Sequence, residues 1–167
     1  LEANTKEKIA IIGAGPAGVE FAGALSEWYE AIDEVADITL IDSGNRVLPT
    51  FSKTASRLAS RKLRDMGIKI QLKRSVQEVK SSHIVLNNGV IPAKNIIWAA
   101  GETLSPIITK HVQYFGIEEN RVQVDDFLEA YEDIYVIGDC AKASGSGTAD
   151  GAVYMAEYVA KHIIHTM

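Results

Sequence analysis

Gly13, Gly15 and Gly18 stand in the pattern G-x-G-x-x-G within "KIAIIGAGPAGVEFAGAL", Lys8 to Leu25. Side-chain-free residues at this spacing, between an apolar run and a helical pattern, hold a diphosphate against main-chain amides. The roles divide by position. Gly13 permits the tight turn, Gly15 lets the backbone approach the phosphates, and Gly18 lets helix and strand pack closely. The helix start adds free N–H groups and a partial positive charge, with Pro16 suited to its first position. Asp42, at the end of "DITLID", stands where an acid hydrogen-bonds the adenosine ribose and repels a 2′-phosphate. Two unit charges about 4 Å apart cost ~1 kcal/mol in water and ~4 kcal/mol at a dielectric of ~20. Asp42 therefore favours NAD(H) over NADP(H), and Arg46 is near enough in sequence to soften that preference. The cofactor-binding residues expected here are Gly13, Ala14, Gly15, Pro16, Ala17 and Gly18 of the turn, with Asp42 beyond it.

The elements that must position these residues follow from periodicity. Lys8–Ile12 reads as a buried strand. A helix runs from about Pro16 to Tyr29, with Ala17, Phe21, Ala24 and Trp28 toward the sheet. Asp37–Asp42 is the next strand. A helix over Ser52–Met66 ends at a Gly67 C-cap, and Ile68–Leu72 is a third strand. This β-α-β-α-β order implies a parallel sheet with right-handed crossovers. Three short runs near Ser75–Val79, Ile84–Leu86 and Val90–Ile91 then form an antiparallel meander with tight polar turns. Asn95–Ala99 returns to the parallel sheet, and Gly101 closes it. Further on, Ile134–Ile137 reads as a buried strand and "KASGSGT" as a flexible loop. A last helix over about Ala149–His165 carries Ala149, Ala152, Val153, Ala156, Ala160, Ile163 and Ile164 on one stripe.

Bulk properties exclude several classes. The chain has 167 residues, 47% hydrophobic and 23% charged, which suits an ordered globular chain. A net charge of −5 argues against a nucleic-acid partner. The single cysteine, Cys140, allows no internal disulfide and no cysteine-rich metal site, so a reducing, cytoplasmic setting and no bound metal are expected. Cys140 reads as a small packed residue rather than a nucleophile. No apolar stretch is long enough to span a bilayer, while peripheral contact with the inner face of a membrane is compatible with the sequence. No Tyr-x-x-x-Lys pair is present, and none of the histidines at 83, 111, 162 and 165 has an obvious orienting acid. No acid–base catalytic residue is therefore assigned.

The ordered segments "IIGAGPAGVEFAGAL", "LIDSGNRVLP", "NIIWAAG" and "IYVIGDCA", followed by an amphipathic helix, resemble the pyridine nucleotide–disulfide oxidoreductase superfamily. These are flavoproteins with two dinucleotide-binding domains. Within them the chain is most similar to type II NADH dehydrogenases and related FAD-dependent NADH oxidoreductases. The resemblance implies an α/β fold: a Rossmann-like three-layer parallel sheet with a β-meander insertion, followed by a partial FAD-domain segment of a strand and a C-terminal helix. It places an NAD(H)-binding domain at 1–101, with the meander near 75–92, and a C-terminal part of a split FAD domain at 102–167. The flavin's own glycine turn would precede Leu1.

The same resemblance places Glu20 and the Ala100–Gly101 backbone near the nicotinamide, and Gly138 and Asp139 at the flavin. NADH and an electron acceptor are the implied partners, with FAD in the full-length protein. The chain alone is expected to bind NADH weakly and to catalyse nothing, and its partial FAD segment is expected to pack on the NADH domain in an altered way or on another copy of the chain. Asp150 and Val153 replace the glutamines of the family's quinone-proximal helix start, which favours another acceptor. The readings left beside it are a non-catalytic NAD(H)-sensing module and a relative of the NADH oxidases or disulfide reductases.

Overall fold

The computed structural model describes residues 7–101 and 103–166 and divides into two compact units, Leu1–Gly101 and Glu102–Met167. The first unit is built on a parallel sheet of β1 (Glu7–Ile12), β2 (Ala36–Ile41), β3 (Lys69–Gln71) and β7 (Asn95–Trp98), in the order β3-β2-β1-β7. Register pairs Ile9 with Ile38 and Ile12 with Ile41, and on the other side Ile9 with Asn95 and Ile12 with Trp98.

Both faces of β1 are covered, so its residues are apolar without alternation. Ile9 and Ile11 face the helices α1 (Pro16–Ala31) and α2 (Lys53–Asp65), and pack with Ala22, Tyr29, Leu40 and Leu63. Ala10 and Ile12 face the opposite way. They pack with Ile84, Leu86 and Ala93 of the antiparallel meander β4 (Val76–Val79), β5 (His83–Leu86) and β6 (Gly89–Pro92) and its exit. The three layers are thus helices, sheet and meander. Ser52 caps α2, its hydroxyl accepting the Ala55 N–H at 3.1 Å, and Gly67 ends it at φ +80°.

The helix faces differ from the expectation. In α1 the buried residues are Gly18, Ala22 and Tyr29, whereas Phe21 and Trp28 are 43% and 56% exposed and Ala17 and Ala24 also face outward. The helix carries two apolar stripes one residue apart. The stripe with glycine and alanine at its sheet end was the one that could approach closely.

The second unit consists of short pieces. They are α3 (Pro106–Thr109), a 3-10 turn at Val112–Tyr114, β8 (Ile117–Glu118), β9 (Arg121–Gln123), β10 (Glu129–Tyr131), β11 (Ile134–Tyr135), a 3-10 turn at Gly138–Cys140, β12 (Ala141–Lys142) and α4 (Ala149–Thr166). Strands β12, β9 and β8 form one small sheet, and β10 pairs with β11. The core is Leu128, Ala141, Met155 and Val159, with Tyr135, Val136 and Ile163 against it. The strand expected over Ile134–Ile137 is shorter and not fully buried: Ile134 and Ile137 are 41% and 38% exposed. A two-stranded ribbon has one covered face, so residues pointing the other way meet solvent. The expected α4 stripe likewise turns outward at Val153 and Ile164, and Met155 and Val159 are buried instead. Among the described residues no helix is long and apolar enough to cross a membrane.

Candidate functional site

The carboxyl ends of β1, β2 and β7 converge where the chain crosses from one side of the sheet to the other, the place where open α/β sheets bind ligands. The Gly13 N–H donates to the Ile41 carbonyl at 2.8 Å, the last rung between β1 and β2. Gly13 then turns at φ +108°, and a Cβ there would stand 2.7 Å from the Ala99 carbonyl. At Gly18 a Cβ would fall 1.9 Å from the Gly13 carbonyl oxygen, so the first turn of α1 lies directly on the loop. Gly15 is the reverse. A Cβ there would meet no protein atom within 4 Å, and no side chain caps the helix that Gly15 opens. Two glycines are dictated by the protein's own packing, and the third leaves space at an uncapped helix start. A diphosphate needs such space, beside N–H groups that lack intrahelical partners. Pro16 occupies the first helical position, where its missing N–H costs nothing.

Asp42 follows β2 directly and is half-buried. Its Oδ2 accepts the Ala14 N–H at 2.7 Å and its Oδ1 accepts the Gly44 N–H at 2.6 Å. Ala14 is fully buried, and its carbonyl accepts the Leu48 N–H at 2.8 Å. Both polar groups of Ala14 are therefore committed within the protein. Ala14 contributes to the turn through its shape, its N–H being held by Asp42. Arg46 bonds within the loop after β2. Its guanidinium donates to the Phe51 carbonyl at 2.9 Å and to the Pro49 carbonyl, clamping its own loop.

A cleft of about 240 Å³ at this end is lined by Gly13, Asp42, Ser43, Arg74, Trp98 and Ala100, among others. The structure thus brings Gly13, Asp42 and Ala100 together. Glu20 is exposed on α1, as are Ala17 and Pro16. Gly101, at φ +80°, follows Ala100 out of the sheet. Arg74 and Trp98 escaped the sequence reading. Arg74 donates its main-chain N–H to the Asp42 carbonyl at 3.0 Å, while its side chain reaches the Asn88 carbonyl at 2.9 Å. The Trp98 indole N–H bonds the Ala100 carbonyl. The available signal was position, since both follow or end strands at the carboxyl edge. A larger hollow of about 690 Å³ borders Glu7, Lys8, Tyr29 and Lys94 near the amino ends of the strands. Among the described residues no glycine turn or helix N-terminus lines it, so the carboxyl end is the better candidate.

In the second unit, Gly138 sits at φ +69° and donates its N–H to the Met155 sulfur at 3.2 Å. The Asp139 Oδ1 accepts the Gly147 N–H at 2.9 Å, which ties the "GDC" turn to the loop before α4. Thr148 Oγ1 accepts the Gly151 N–H at 3.1 Å in the manner of a cap. Asp139 is exposed, and it borders a small cleft with Thr103, Leu104 and Cys140. Among the described residues no group of three His, Cys, Asp or Glu gathers as a metal site.

Residues 1–156 match the model of the pyridine nucleotide-disulphide oxidoreductase family. A type II NADH:quinone oxidoreductase of Haemophilus influenzae is 33% identical, over 95% of this chain and 40% of that protein. An external alternative NAD(P)H-ubiquinone oxidoreductase B1 of Arabidopsis thaliana is also 33% identical, over 81% of this chain and 27% of the relative. Among solved structures, a water-forming NADH oxidase from Lactobacillus brevis, bound to NADH, superposes with a TM-score of 0.76 at 23% identity, covering 96% of this chain and 37% of that one. That likeness speaks to the fold. The chain spans two fifths or less of the length of these relatives.

Proposed function

This chain belongs to the pyridine nucleotide-disulphide oxidoreductase family, and from that premise we propose that its first unit binds NADH across the turn at Gly13–Gly18. We propose further that the whole protein is an FAD-dependent NADH dehydrogenase. The second unit is then the C-terminal part of its FAD domain, with Gly138 and Asp139 toward the flavin. The carrying observation is the contrast among the glycines: Gly13 and Gly18 have no room for a Cβ, whereas Gly15 has open space at an uncapped helix start.

When bound, the flavin supplies the site that takes hydride from the nicotinamide. This chain's residues bind and orient. Amides of the first α1 turn hold the diphosphate, and Asp42 faces the adenosine ribose with lone pairs left on each oxygen. Glu20 and the Ala100–Gly101 backbone lie toward the nicotinamide. No proton-transfer residue is needed for a hydride step, and the protein's contribution is the relative placement of two rings. The names of the quinone oxidoreductase relatives favour a quinone acceptor, whereas Asp150 and Val153 at the start of α4 favour another.

The test is a fluorescence titration with NADH. Gly15→Val puts a side chain into space the protein leaves empty. The variant is expected to fold like the parent and to lose at least about tenfold in affinity, some 1.4 kcal/mol. Equal affinity in parent and variant would remove the turn from the site.

A further inference from the structure

We propose that Asp42 is a positioning residue that locks the glycine turn in its binding shape before any ligand arrives, besides whatever it offers a ribose. β1 and β2 run in register to Ile12 and Ile41, so the next residues, Gly13 and Asp42, are neighbours. As the chain turns, Ala14 leaves the ladder while remaining fully buried, where water cannot satisfy its N–H. The Asp42 carboxylate replaces the lost strand partner at 2.7 Å. Its other oxygen holds the Gly44 N–H at 2.6 Å, and the Gly44 carbonyl accepts the Lys73 N–H at 2.8 Å. One side chain therefore links the ends of β1, β2 and β3.

Two N–H donors on two different oxygens require a carboxylate. Asparagine has one acceptor oxygen and would set an NH₂ group against the second donor. Electrostatics points the same way. A carboxylate beside a diphosphate site repels the ligand, and pairing it with two N–H groups offsets that cost.

The inference rests on the NADH reading only in its ligand arm, so the two can fail separately. Amide exchange is followed by NMR on the ligand-free chain, and affinity is measured for NADH and for reduced nicotinamide mononucleotide, which has no adenosine ribose. In the parent, the Ala14 amide is expected to exchange at least about tenfold more slowly than that of Gly15. Asp42→Ala is expected to speed exchange at both Ala14 and Gly44, and Asp42→Asn at one of them, while Ala10 and Ile11 in β1 stay slow. Both ligands are expected to lose affinity in Asp42→Ala, and NADH by the larger factor because it alone also loses the ribose contact.

Rapid exchange at Ala14 in the parent overturns the lock whatever the variants do. So does loss of NADH affinity alone, or acceleration of every amide together. A parent that binds neither ligand but shows local, Asp42-dependent protection at Ala14 keeps the lock and refutes the NADH reading.

Discussion

A methyl group at Gly18 would overlap the Gly13 carbonyl oxygen, at 1.9 Å, and neither partner is a flexible side chain that could swing away. Gly18→Ala is therefore expected to push α1 off the turn, with a loss of about 1–3 kcal/mol in urea unfolding and weaker NADH binding. At Gly15 the same kind of change should alter binding with little effect on stability, so the two glycines separate fold from function. Asp42→Ser removes a charged acceptor from two main-chain donors and, in the proposed complex, from the ribose. NADH affinity is expected to fall by roughly 1.5–3 kcal/mol, measured by titration. The packing roles of Gly13 and Gly18 were readable because a positive-φ turn and a close helix contact admit few residue types. The commitment of Asp42 to Ala14 and Gly44 was not, because it depends on where the loop after β2 folds back.

At the scale of elements, the parallel strands were legible because β1 is buried on both faces and so reads as an unbroken apolar run. The helix faces were not. In α1, Ala17, Phe21, Ala24 and Trp28 form as good a stripe as Gly18, Ala22, Leu25 and Tyr29, and periodicity cannot choose between them. Contact between Gly18 and the turn sets the rotation. The strand at Ile134 is shorter than its apolar run for a related reason, since such a run does not say how many faces its sheet will cover.

Helix and strand are also tied electrostatically. The Tyr29 hydroxyl donates to Glu7 Oε2 at 2.6 Å and Asn95 Nδ2 donates to Glu7 Oε1 at 2.7 Å. These bonds hold the Glu7 carboxyl below its ordinary value of 4.5. A lowered carboxyl contributes stability above its unfolded value that is lost as pH falls through the folded one. The thermal midpoint of the chain is thus expected to fall on acidification below about pH 4.5. Tyr29→Phe should flatten part of that dependence, and an unchanged pH profile in this variant would exclude the bond. For α2, Ser52→Ala deletes the acceptor of the Ala55 N–H and is expected to cost about 1 kcal/mol in urea unfolding.

At the scale of the whole molecule, the two units differ in how much core each encloses. The first has apolar clusters on both faces of its sheet, with Ile11, Leu40, Ile41 and Ile84 fully buried. The second holds Leu128, Ala141, Met155 and Val159 among strands of two or three residues, and α4 leaves Val153, Tyr154 and Ile164 in solvent. Local opening free energy follows buried apolar contact and ladder length, so the units should not open together. Hydrogen exchange read by mass spectrometry is expected to label β8 to β12 and the outer turns of α4 well before β1 and β2. Because both clusters of the first unit are drawn from its own residues, residues 1–101 produced alone are expected to unfold cooperatively and to bind NADH within about threefold of the whole chain, a difference of roughly 0.7 kcal/mol. Simultaneous labelling of the two units would refute their independent opening, and loss of binding in the shorter chain would refute a dinucleotide site complete within residues 1–101.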